Sequence, residues 1–334
     1  MTMPQIIKKL LCETMVLCGL ARAGRLRNRS KLLVVMYHGV SRLPHLDPIW
    51  TQLPVERFER QLDFLQRWYC PVTLAQVLRA LRGKQTLPPR AVLLTFDDGL
   101  RNNYTVAWPI LRARKIPATV FLTVDYIGGH RLLWPDELYL LVKNAHENAQ
   151  ALPEPFASLC LQTETVWPRY AILVEALKRM DDDQRQQAMD ALRRATPLPD
   201  HAHCEDFTLL NWQEVDTMHR DGLMDFGVHT ASHIILSRIA PGDLKKEIVW
   251  PKKRLEEKLG HEVEAFCYPN GRSGIDFHEE HKTGLHQAGY ACAFTTDHGL
   301  HAMGTDPFAI KRIAAGNDMT SDPAFFQLAC SGII

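Results

Sequence analysis

Three features that would assign the chain to a specialised class are missing from its 334 residues. The moderately apolar residues 10–21 are too short and too interrupted to cross a bilayer. Basic residues exceed acidic residues by one, so bulk electrostatics does not favour a nucleic acid as partner. No internal repeat or low-complexity segment is present. The composition is that of an ordinary globular protein with a sizeable core.

The sequence also lacks the cysteine pattern of a disulfide-rich secreted protein. Its eight cysteines include no CxxC pair and follow no regular spacing. In a chain of this length, such cysteines are typically reduced and mostly buried among apolar side chains. Reduced cysteines favour a cytoplasmic location.

Residues 1–31 are basic, with seven lysine and arginine residues against the single acid Glu13. Glu13 interrupts the apolar stretch, and Arg22 stands where a secretory signal would have small residues, so a signal peptide is not expected. Two interpretations remain open. The segment is either a helix packed on the domain or an amphipathic segment resting on an anionic membrane. The second interpretation would place the protein peripherally at the inner membrane face.

Apolar runs that predict strands alternate along the chain with helical patterns. The predicted strands are residues 32–37, 91–96, 118–123, 225–228, 264–268, 290–295 and 308–313. This alternation favours an α/β fold with a parallel sheet, and the number of units favours a closed or distorted (β/α) barrel. Residues 133–210 contain no convincing strand, so we expect a helical insertion there, within a catalytic domain of residues 32–334.

Two acids, Asp97 and Asp98, stand directly after a predicted buried strand. Ionised carboxylates enter apolar surroundings only with a cation, hydrogen-bond donors or a raised pKa. Far downstream, His229 and His233 are four residues apart, which predicts that both imidazoles lie on one face of a helical turn. One carboxylate and two imidazoles form a metal-ligand set with open positions, and the second carboxylate is left free to transfer protons.

Each motif also has a purely structural interpretation. The Asp-Asp-Gly sequence at 97–99 could be a turn, and the two histidines could be solvated residues near a helix start. The acids, the histidines and the Tyr-Pro-Asn-Gly sequence at 268–271 nevertheless each follow a predicted strand. Groups at the carboxyl ends of barrel strands converge on one face, so the combination is more informative than any one motif.

With these motifs the chain resembles the polysaccharide deacetylase family, the NodB-homology or carbohydrate esterase family 4 enzymes. Thr95–Gly99 and His229–His233 match the two principal motifs of the family. The likeness begins at the Met-Tyr-His-Gly-Val sequence of residues 36–40 and covers roughly residues 32–315. It implies a distorted (β/α) barrel and metal-dependent removal of N- or O-acetyl groups from sugars.

The resemblance implies roles for four residues. Asp97 matches the general base of the family, and Asp98, His229 and His233 match its metal ligands. The expected cofactor is a divalent ion, zinc by preference, because two imidazoles and a carboxylate are a common zinc set. Such an ion lowers the pKa of bound water and polarises a carbonyl group.

The loop at residues 268–271 resembles the segment that supplies the oxyanion donor, which would be the backbone N–H of Asn270. The chain departs from the family pattern just before this loop, where Cys267 replaces the arginine that orients the base. Arg272 and Arg312 are the candidates to replace that arginine. Tyr268 and Arg312 are also expected to contact the substrate.

The late histidine motif that supplies the general acid is not evident. His298 and His301 lie in the right region of the sequence, and His38 ends the first predicted strand. All three remain candidates, and His38 could equally be a hydrogen-bonded residue at a strand end.

The expected function is a metal-dependent hydrolase that removes N-acetyl groups from a bacterial polysaccharide or a lipid-linked glycan precursor. The expected partner is an N-acetylated glycan. A catalytically impaired carbohydrate-binding relative is one alternative, and a non-haem iron enzyme with the same ligand set is another. A glycosidase is less consistent, because its two carboxylates must flank the bond at about 5–9 Å and the histidine pair would have no role.

Overall fold

Seven parallel strands close into a barrel in the computed structural model, which describes residues 3–43, 49–160, 163 and 165–334. The described strands are β1 Leu33–Tyr37, β2 Gly39–Ser41, β3 Gln52–Pro54, β4 Cys70–Pro71, β5 Ala91–Phe96, β6 Ala118–Leu122, β7 Met224–Val228, β8 Ala265–Cys267, β9 Cys292–His298 and β10 Ile310–Ala314. The order around the barrel is β1, β10, β9, β8, β7, β6 and β5, and β5 returns to β1. The predicted (β/α) barrel is confirmed.

Thirteen α-helices accompany these strands in the part of the chain that the structure describes. They are α1 Met3–Leu17, α2 Leu20–Arg27, α3 Val55–Trp68, α4 Leu74–Leu81, α5 Trp108–Arg114, α6 Trp134–Glu147, α7 Phe156–Leu159, α8 Val166–Lys178, α9 Asp182–Ala195, α10 Trp212–Arg220, α11 Leu244–Leu259, α12 Glu279–Gln287 and α13 Pro323–Ser331. Side-chain caps at Thr73, Asp181 and Asn211 start α4, α9 and α10, because each accepts the N–H three residues further on.

The barrel strands are apolar because they are covered on both faces. Every residue of β1, β5 and β6 is buried. Phe121 of β6 and Phe294 of β9 meet across the interior, since their strands are not neighbours and their ring centroids are 5.2 Å apart. The interior therefore contains a packed apolar core.

Between β6 and β7 the chain leaves the barrel and forms α6 to α9. These helices bury an apolar cluster that includes Tyr139, Leu173, Leu192 and Phe207 and is distinct from the barrel clusters. The helices lie within residues 133–210, where the sequence predicts a helical insertion. Their first element, α6, begins beside the rim of the barrel and supplies part of the cavity described below.

The N-terminal helices α1 and α2 pack against α13, where Cys12 and Ala21 are buried together with Ala324 and Leu328. This contact agrees with the packed-helix interpretation for one face of α1. The opposite face carries exposed apolar side chains, including Leu10, which is 57% exposed. No helix among the described residues combines the length and the apolar character needed to cross a membrane.

Candidate active site

A cavity of about 430 Å³ opens at the carboxyl ends of the barrel strands. Its polar lining comes from segments that are far apart in the sequence and that the barrel brings to one rim. The titratable side chains used below are His38, Asp97, Asp98, Asp136, His229 and His233. The structure thus brings together both carboxylates, both paired histidines and one of the three candidate proton donors.

Asp98 and the two imidazoles form a compact buried cluster. The Oδ1 atom of Asp98 lies 3.4 Å from Nε2 of His229 and 3.2 Å from Nε2 of His233. One ligand atom from each residue lies within 4.8 Å of the others. Asp98 Oδ1 is nevertheless a buried atom without a hydrogen-bond partner. This arrangement fits a divalent cation, because a carboxylate and two imidazoles converge on one point.

The tautomer of His229 supports the same conclusion. Its Nδ1 lies 2.8 Å from the carbonyl oxygen of Cys267, which can only accept, so Nδ1 carries the proton. The neutral ring then directs the Nε2 lone pair at the Asp98 carboxylate, and a cation or a proton must lie between them. Burial lowers the pKa of His229, but Cys267 and Asp98 raise it well above 6.5.

The histidine pair does not lie on a helical turn, and that prediction is wrong. Residues 229–233 form a turn in which Thr230 and His233 have φ values of 62° and 61°. The carboxylate of Glu247 in α11 accepts the N–H groups of Ala231 at 3.1 Å and Ser232 at 3.0 Å. Glu247, which belongs to a different element, thus accepts the two N–H groups that a helix would pair with its own carbonyls. The spacing of four residues between the two histidines therefore does not indicate a helix.

The two carboxylates separate because the backbone reverses between them. The N–H of Asp97 donates to the carbonyl of Tyr37 at 3.0 Å and so continues the pairing of β5 with β1. Asp98 then takes a φ of 75° and Gly99 a φ of 82°. A positive φ is strained for aspartate, and such strain persists where the surrounding structure holds it in place. The turn gives each carboxylate a different set of partners.

Asp97 is paired with Arg312 inside the barrel. Nη1 and Nη2 of Arg312 donate to Oδ1 and Oδ2 of Asp97 at 2.7 and 2.8 Å, and its Nε donates to the carbonyl of Thr295 at 2.7 Å. Burial by itself raises the pKa of Asp97, but the charge and hydrogen bonds of Arg312 lower it below 3.8. Asp97 is therefore an ionised and firmly oriented carboxylate at neutral pH.

Of the two candidates to replace the missing arginine, Arg312 is the one that contacts Asp97. Arg272 instead pairs with Asp276, with Nε 2.9 Å from Oδ2. The side chain of Arg312 is 0% exposed, and its guanidinium is used by protein partners. Contact between Arg312 and a substrate, which the sequence also predicts, stays a prediction.

The loop at residues 268–271 places one of its two candidate residues at the cavity. Asn270 lines the cavity with a φ of 60°, and among the described residues no acceptor takes its backbone N–H. Tyr268 is 1% exposed and stacks on Phe277 with ring centroids 3.7 Å apart, while its hydroxyl donates to the carbonyl of Phe308 at 3.2 Å. Tyr268 is thus packed in the core, and its predicted contact with the substrate stays a prediction.

Among the three candidate proton donors, His38 lies at the cavity. Its ring meets Trp50 edge-on at 5.0 Å, and burial lowers its pKa below 6.5. The Nε2 atom of His298 lies 2.9 Å from the carbonyl of Ile334, away from the cavity. His301 pairs through its backbone with Leu32 and does not line the cavity.

The sequence analysis missed Asp136 in the first turn of α6. The Trp-Pro-Asp-Glu sequence at residues 134–137 indicates the start of a helix. The structure shows in addition that Asp136 is 3% exposed and lines the cavity. Burial, with the nearby charges of Asp98 and Asp206, raises the pKa of Asp136 well above 3.8. Acids are common in first helical turns, so no sequence signal distinguishes one that faces a cavity.

A closed parallel barrel with its polar site at the carboxyl ends of the strands places the chain among the (β/α)-barrel proteins. IcaB from Ammonifex degensii shares this fold, with a TM-score of 0.58 and 21% identity over 91% of this chain and 98% of that chain. A family model described as polysaccharide deacetylase matches residues 84–150 and 185–293, which is more than half of the sequence. The chain belongs to the polysaccharide deacetylase family, as its motifs predict.

Two curated relatives match shorter segments. Poly-beta-1,6-N-acetyl-D-glucosamine N-deacetylase of Escherichia coli (strain K12) is 52% identical over 73 residues, 21% of this chain and 11% of that protein. The putative polysaccharide deacetylase YxkH of Bacillus subtilis (strain 168) is 29% identical over 110 residues, 33% of this chain and 38% of that protein. The matches therefore span well under half of either relative.

Replacing Arg312 with methionine should destabilise the fold strongly, because it leaves Asp97 buried without its cation. We expect a loss of about 3–5 kcal/mol in the free energy of unfolding, measured with denaturant. Adding Asp97→Leu to Arg312→Met should restore much of that loss. Arg220→Met, which breaks an exposed pair with Asp216, is the control and should cost less than about 1 kcal/mol. Equal costs for the two arginine variants would contradict the assigned pair.

Replacing Asp136 with asparagine should stabilise the metal-free protein in a pH-dependent way. Because the pKa of Asp136 is raised in the folded state, ionisation favours the unfolded state once the pH exceeds 3.8. The melting temperature of the variant should equal that of the wild type at the acidic end and exceed it increasingly towards neutral pH. Asp183→Asn, an exposed acid in the first turn of α9, controls for the loss of a charge. A pH-independent difference would exclude the buried-acid assignment.

Proposed function

We propose that this protein is a metal-dependent deacetylase that removes N-acetyl groups from a bacterial polysaccharide or a lipid-linked glycan precursor. The observation that carries the proposal is that the adjacent carboxylates of Asp97 and Asp98 have different partners. Asp98 faces two imidazoles, while Asp97 is held by Arg312 beside the same cavity. The name of the Escherichia coli relative, an N-deacetylase of poly-beta-1,6-N-acetyl-D-glucosamine, supports this class of substrate.

Asp98, His229 and His233 would hold the divalent cation, and zinc is the proposed ion because its sites commonly combine imidazoles with a carboxylate. When bound, the ion lowers the pKa of a water molecule and polarises the carbonyl group of the acetamide. The hydrogen bond from His229 to Cys267 fixes the ring so that Nε2 faces Asp98 and would be free to hold the cation.

The remaining steps belong to side chains around the cavity. Asp97 accepts a proton from the attacking water, and Arg312 keeps its carboxylate ionised and oriented. The N–H of Asn270 donates to the oxyanion that forms as the water adds to the acetamide carbon. His38 is the proposed donor of the proton that the leaving amine requires. The products are acetate and a free amino sugar.

Two substitutions separate base catalysis from metal binding. Asp97→Asn should keep bound metal, measured by elemental analysis, and lower acetate release by about 10²–10⁴-fold, because it removes the general base. His229→Ala should lose the metal itself, because it removes a ligand. His298→Ala, outside the cavity, is the control and should leave metal content and acetate release unchanged.

Acetate release should be assayed on N-acetylated oligosaccharides and lipid-linked sugars, with and without chelator and with and without oxygen. Full activity of Asp97→Asn, or activity that survives removal of all metal, would contradict the proposed mechanism. Activity that requires oxygen would favour the non-haem iron alternative.

We also propose a cytoplasmic location with peripheral attachment at the inner membrane face. The eight cysteines, all within the described part of the chain, are free, which suits a reducing compartment. Helix α1 packs against α13 through Cys12 and directs apolar side chains outwards, namely Ile6, Ile7, Leu10, Leu11 and Leu17. The N-terminal segment is also basic, and five of its basic residues are exposed, namely Lys8, Arg22, Arg27, Arg29 and Lys31. An apolar stripe beside cationic side chains is suited to an anionic lipid surface.

Replacing Leu10 and Leu11 together with glutamate should abolish co-sedimentation of the protein with phosphatidylglycerol vesicles, because it removes apolar contact and adds repulsion. Acetate release from a free oligosaccharide should not change, since both side chains are exposed and outside the cavity. The control is Leu159→Glu, an exposed leucine on α7. Equal sedimentation of the double variant and the wild type would refute the proposed surface.

A further inference from the structure

One wall of the cavity at the carboxyl ends of the strands comes from the helical insertion rather than from the barrel. Helix α6 contributes Pro135 and Asp136, and one face of α8 contributes the residues at positions 167, 170, 174 and 178. We call these six residues the insertion wall. The α8 part of this wall lies between the two segments that the family model matches, so it does not belong to the pattern that the model describes.

The carboxyl group of Asp136 is a buried acid without a partner. The residue is 3% exposed, and within the described part of the chain no group forms a hydrogen bond or an ion pair with its side chain. The charges that act on it, those of Asp98 and Asp206, are also negative, and together with burial they raise its pKa well above 3.8. Buried polar groups nearly always have partners, because an unpaired one is costly. An acid that is kept at this cost in a cavity is a candidate for binding a ligand.

The Asp136 carboxyl group can be reached from the cavity. The unpaired side-chain atoms that the described protein fully encloses include Asp98 Oδ1 but neither oxygen of Asp136. Because these two oxygens are unpaired as well, they keep some accessible surface, and the residue lines the cavity. A ligand in the cavity can therefore supply the hydrogen-bond partner that the protein does not.

Tyr170 brings a second unpaired group to the insertion wall. Its hydroxyl forms no hydrogen bond with any residue that the structure describes, and it is not fully enclosed either. Burial raises the pKa of Tyr170, and the charge of Asp136 makes the largest electrostatic contribution to the rise, so the two groups are neighbours. A carboxyl group accepts hydrogen bonds and, when protonated, donates one, while a phenol hydroxyl does both. A sugar hydroxyl, which also donates and accepts, matches this pair.

The same sugar can reach the insertion wall and the metal-ligand cluster. The charge of Asp98 acts on both Asp136 and Tyr170, so the two sides of the cavity are close. The ligand atoms that lie within 4.8 Å of one another among the described residues include Asp98 but not Asp136, so Asp136 is not part of that cluster. A volume of about 430 Å³ is near the lower end for small-ligand pockets. One sugar with its acetamido group at Asp98 therefore extends to the insertion wall.

We propose that Asp136 and Tyr170 bind a ring hydroxyl of the sugar whose acetamido group is hydrolysed. Both are substrate-binding residues of the insertion, and their hydrogen bonds orient the acetamido group towards Asp97 and Asp98. The inference rests on the proposed deacetylase function and adds to it that the insertion recognises the reacting sugar by its hydroxyl pattern.

The test uses a β-1,6-linked N-acetylglucosamine trimer and its 3-deoxy and 4-deoxy analogues, because this linkage leaves the hydroxyls at C3 and C4 free. Wild-type kcat/KM for acetate release should fall about tenfold for one analogue, which lacks the bound hydroxyl. Asp136→Leu should lower kcat/KM about tenfold on the parent trimer and show no further loss on that analogue. Tyr170→Phe should show the same pattern. Asp136→Asn keeps a donor and an acceptor and should retain most of the discrimination.

Two matched controls lie outside the cavity. Asp183→Leu, at an exposed position of α9, and Tyr104→Phe should behave as wild type on all three trimers. The melting temperature of Asp136→Leu should not fall, because the carboxyl group has no protein partner to lose. Equal relative losses on each analogue in the wild type and in Asp136→Leu would overturn the inference. A wild-type enzyme that accepts both analogues as well as the parent trimer would also overturn it.

Direct binding separates this inference from the proposed function. In calorimetric titrations of metal-loaded Asp97→Asn, adding Asp136→Leu should weaken binding of the parent trimer about tenfold and leave binding of the discriminated analogue unchanged. Identical affinity for the parent trimer with and without Asp136→Leu would refute the hydroxyl site. Failure of the trimer to release acetate, with Asp136-dependent binding retained, would count against the deacetylase function instead.

Discussion

Two adjacent carboxylates buried at the end of β5 set the constraint on which the rest of the structure depends. Like charges on neighbouring residues in apolar surroundings cannot both ionise unless each has its own counter-charge. Arg312 supplies one for Asp97, and the imidazoles of His229 and His233 face Asp98. The left-handed backbone at Asp98 keeps the two sets of partners apart. One carboxylate is thereby kept ionised, and the other is directed at a point where a cation or a proton must lie.

This constraint can be met only in a closed barrel. Arg312 is 215 positions from Asp97 in the sequence, and it lies on β10, which reaches β5 through β1. If the sheet were open between β1 and β5, the interior would admit water and the pair would weaken. Closure therefore contributes to the chemistry as well as to the core, because it places the guanidinium in a low-dielectric interior where a bidentate pair is strong.

The sequence predicts those features that are determined within a short segment of the chain. The seven barrel strands and the two principal motifs can be predicted from the sequence, because the apolar run of a strand and the spacing within a motif each lie in one short segment. The partner of Asp97 cannot be predicted in this way, because the register between the barrel strands determines which interior side chain contacts Asp97. The predicted helical turn fails for a similar reason, since Glu247 of α11 satisfies the amides of Ala231 and Ser232. Asp136 is missed because an acid in a first turn has the same sequence signature whether it faces solvent or a cavity.

Where the chain departs from the family pattern, a residue of the same type is present at a different position in the sequence. The family arginine expected before the loop is absent, and Arg312 instead pairs with Asp97 from β10, with its Nη2 3.1 Å from the sulfur of Cys267 at the position of that arginine. A small side chain at Cys267 leaves room for that guanidinium. Under the proposed function, His38 takes the place of the late histidine in the same way, from the opening strand. A site is therefore judged by which groups meet in space, and by that criterion Asp97 and a guanidinium that orients it are both present.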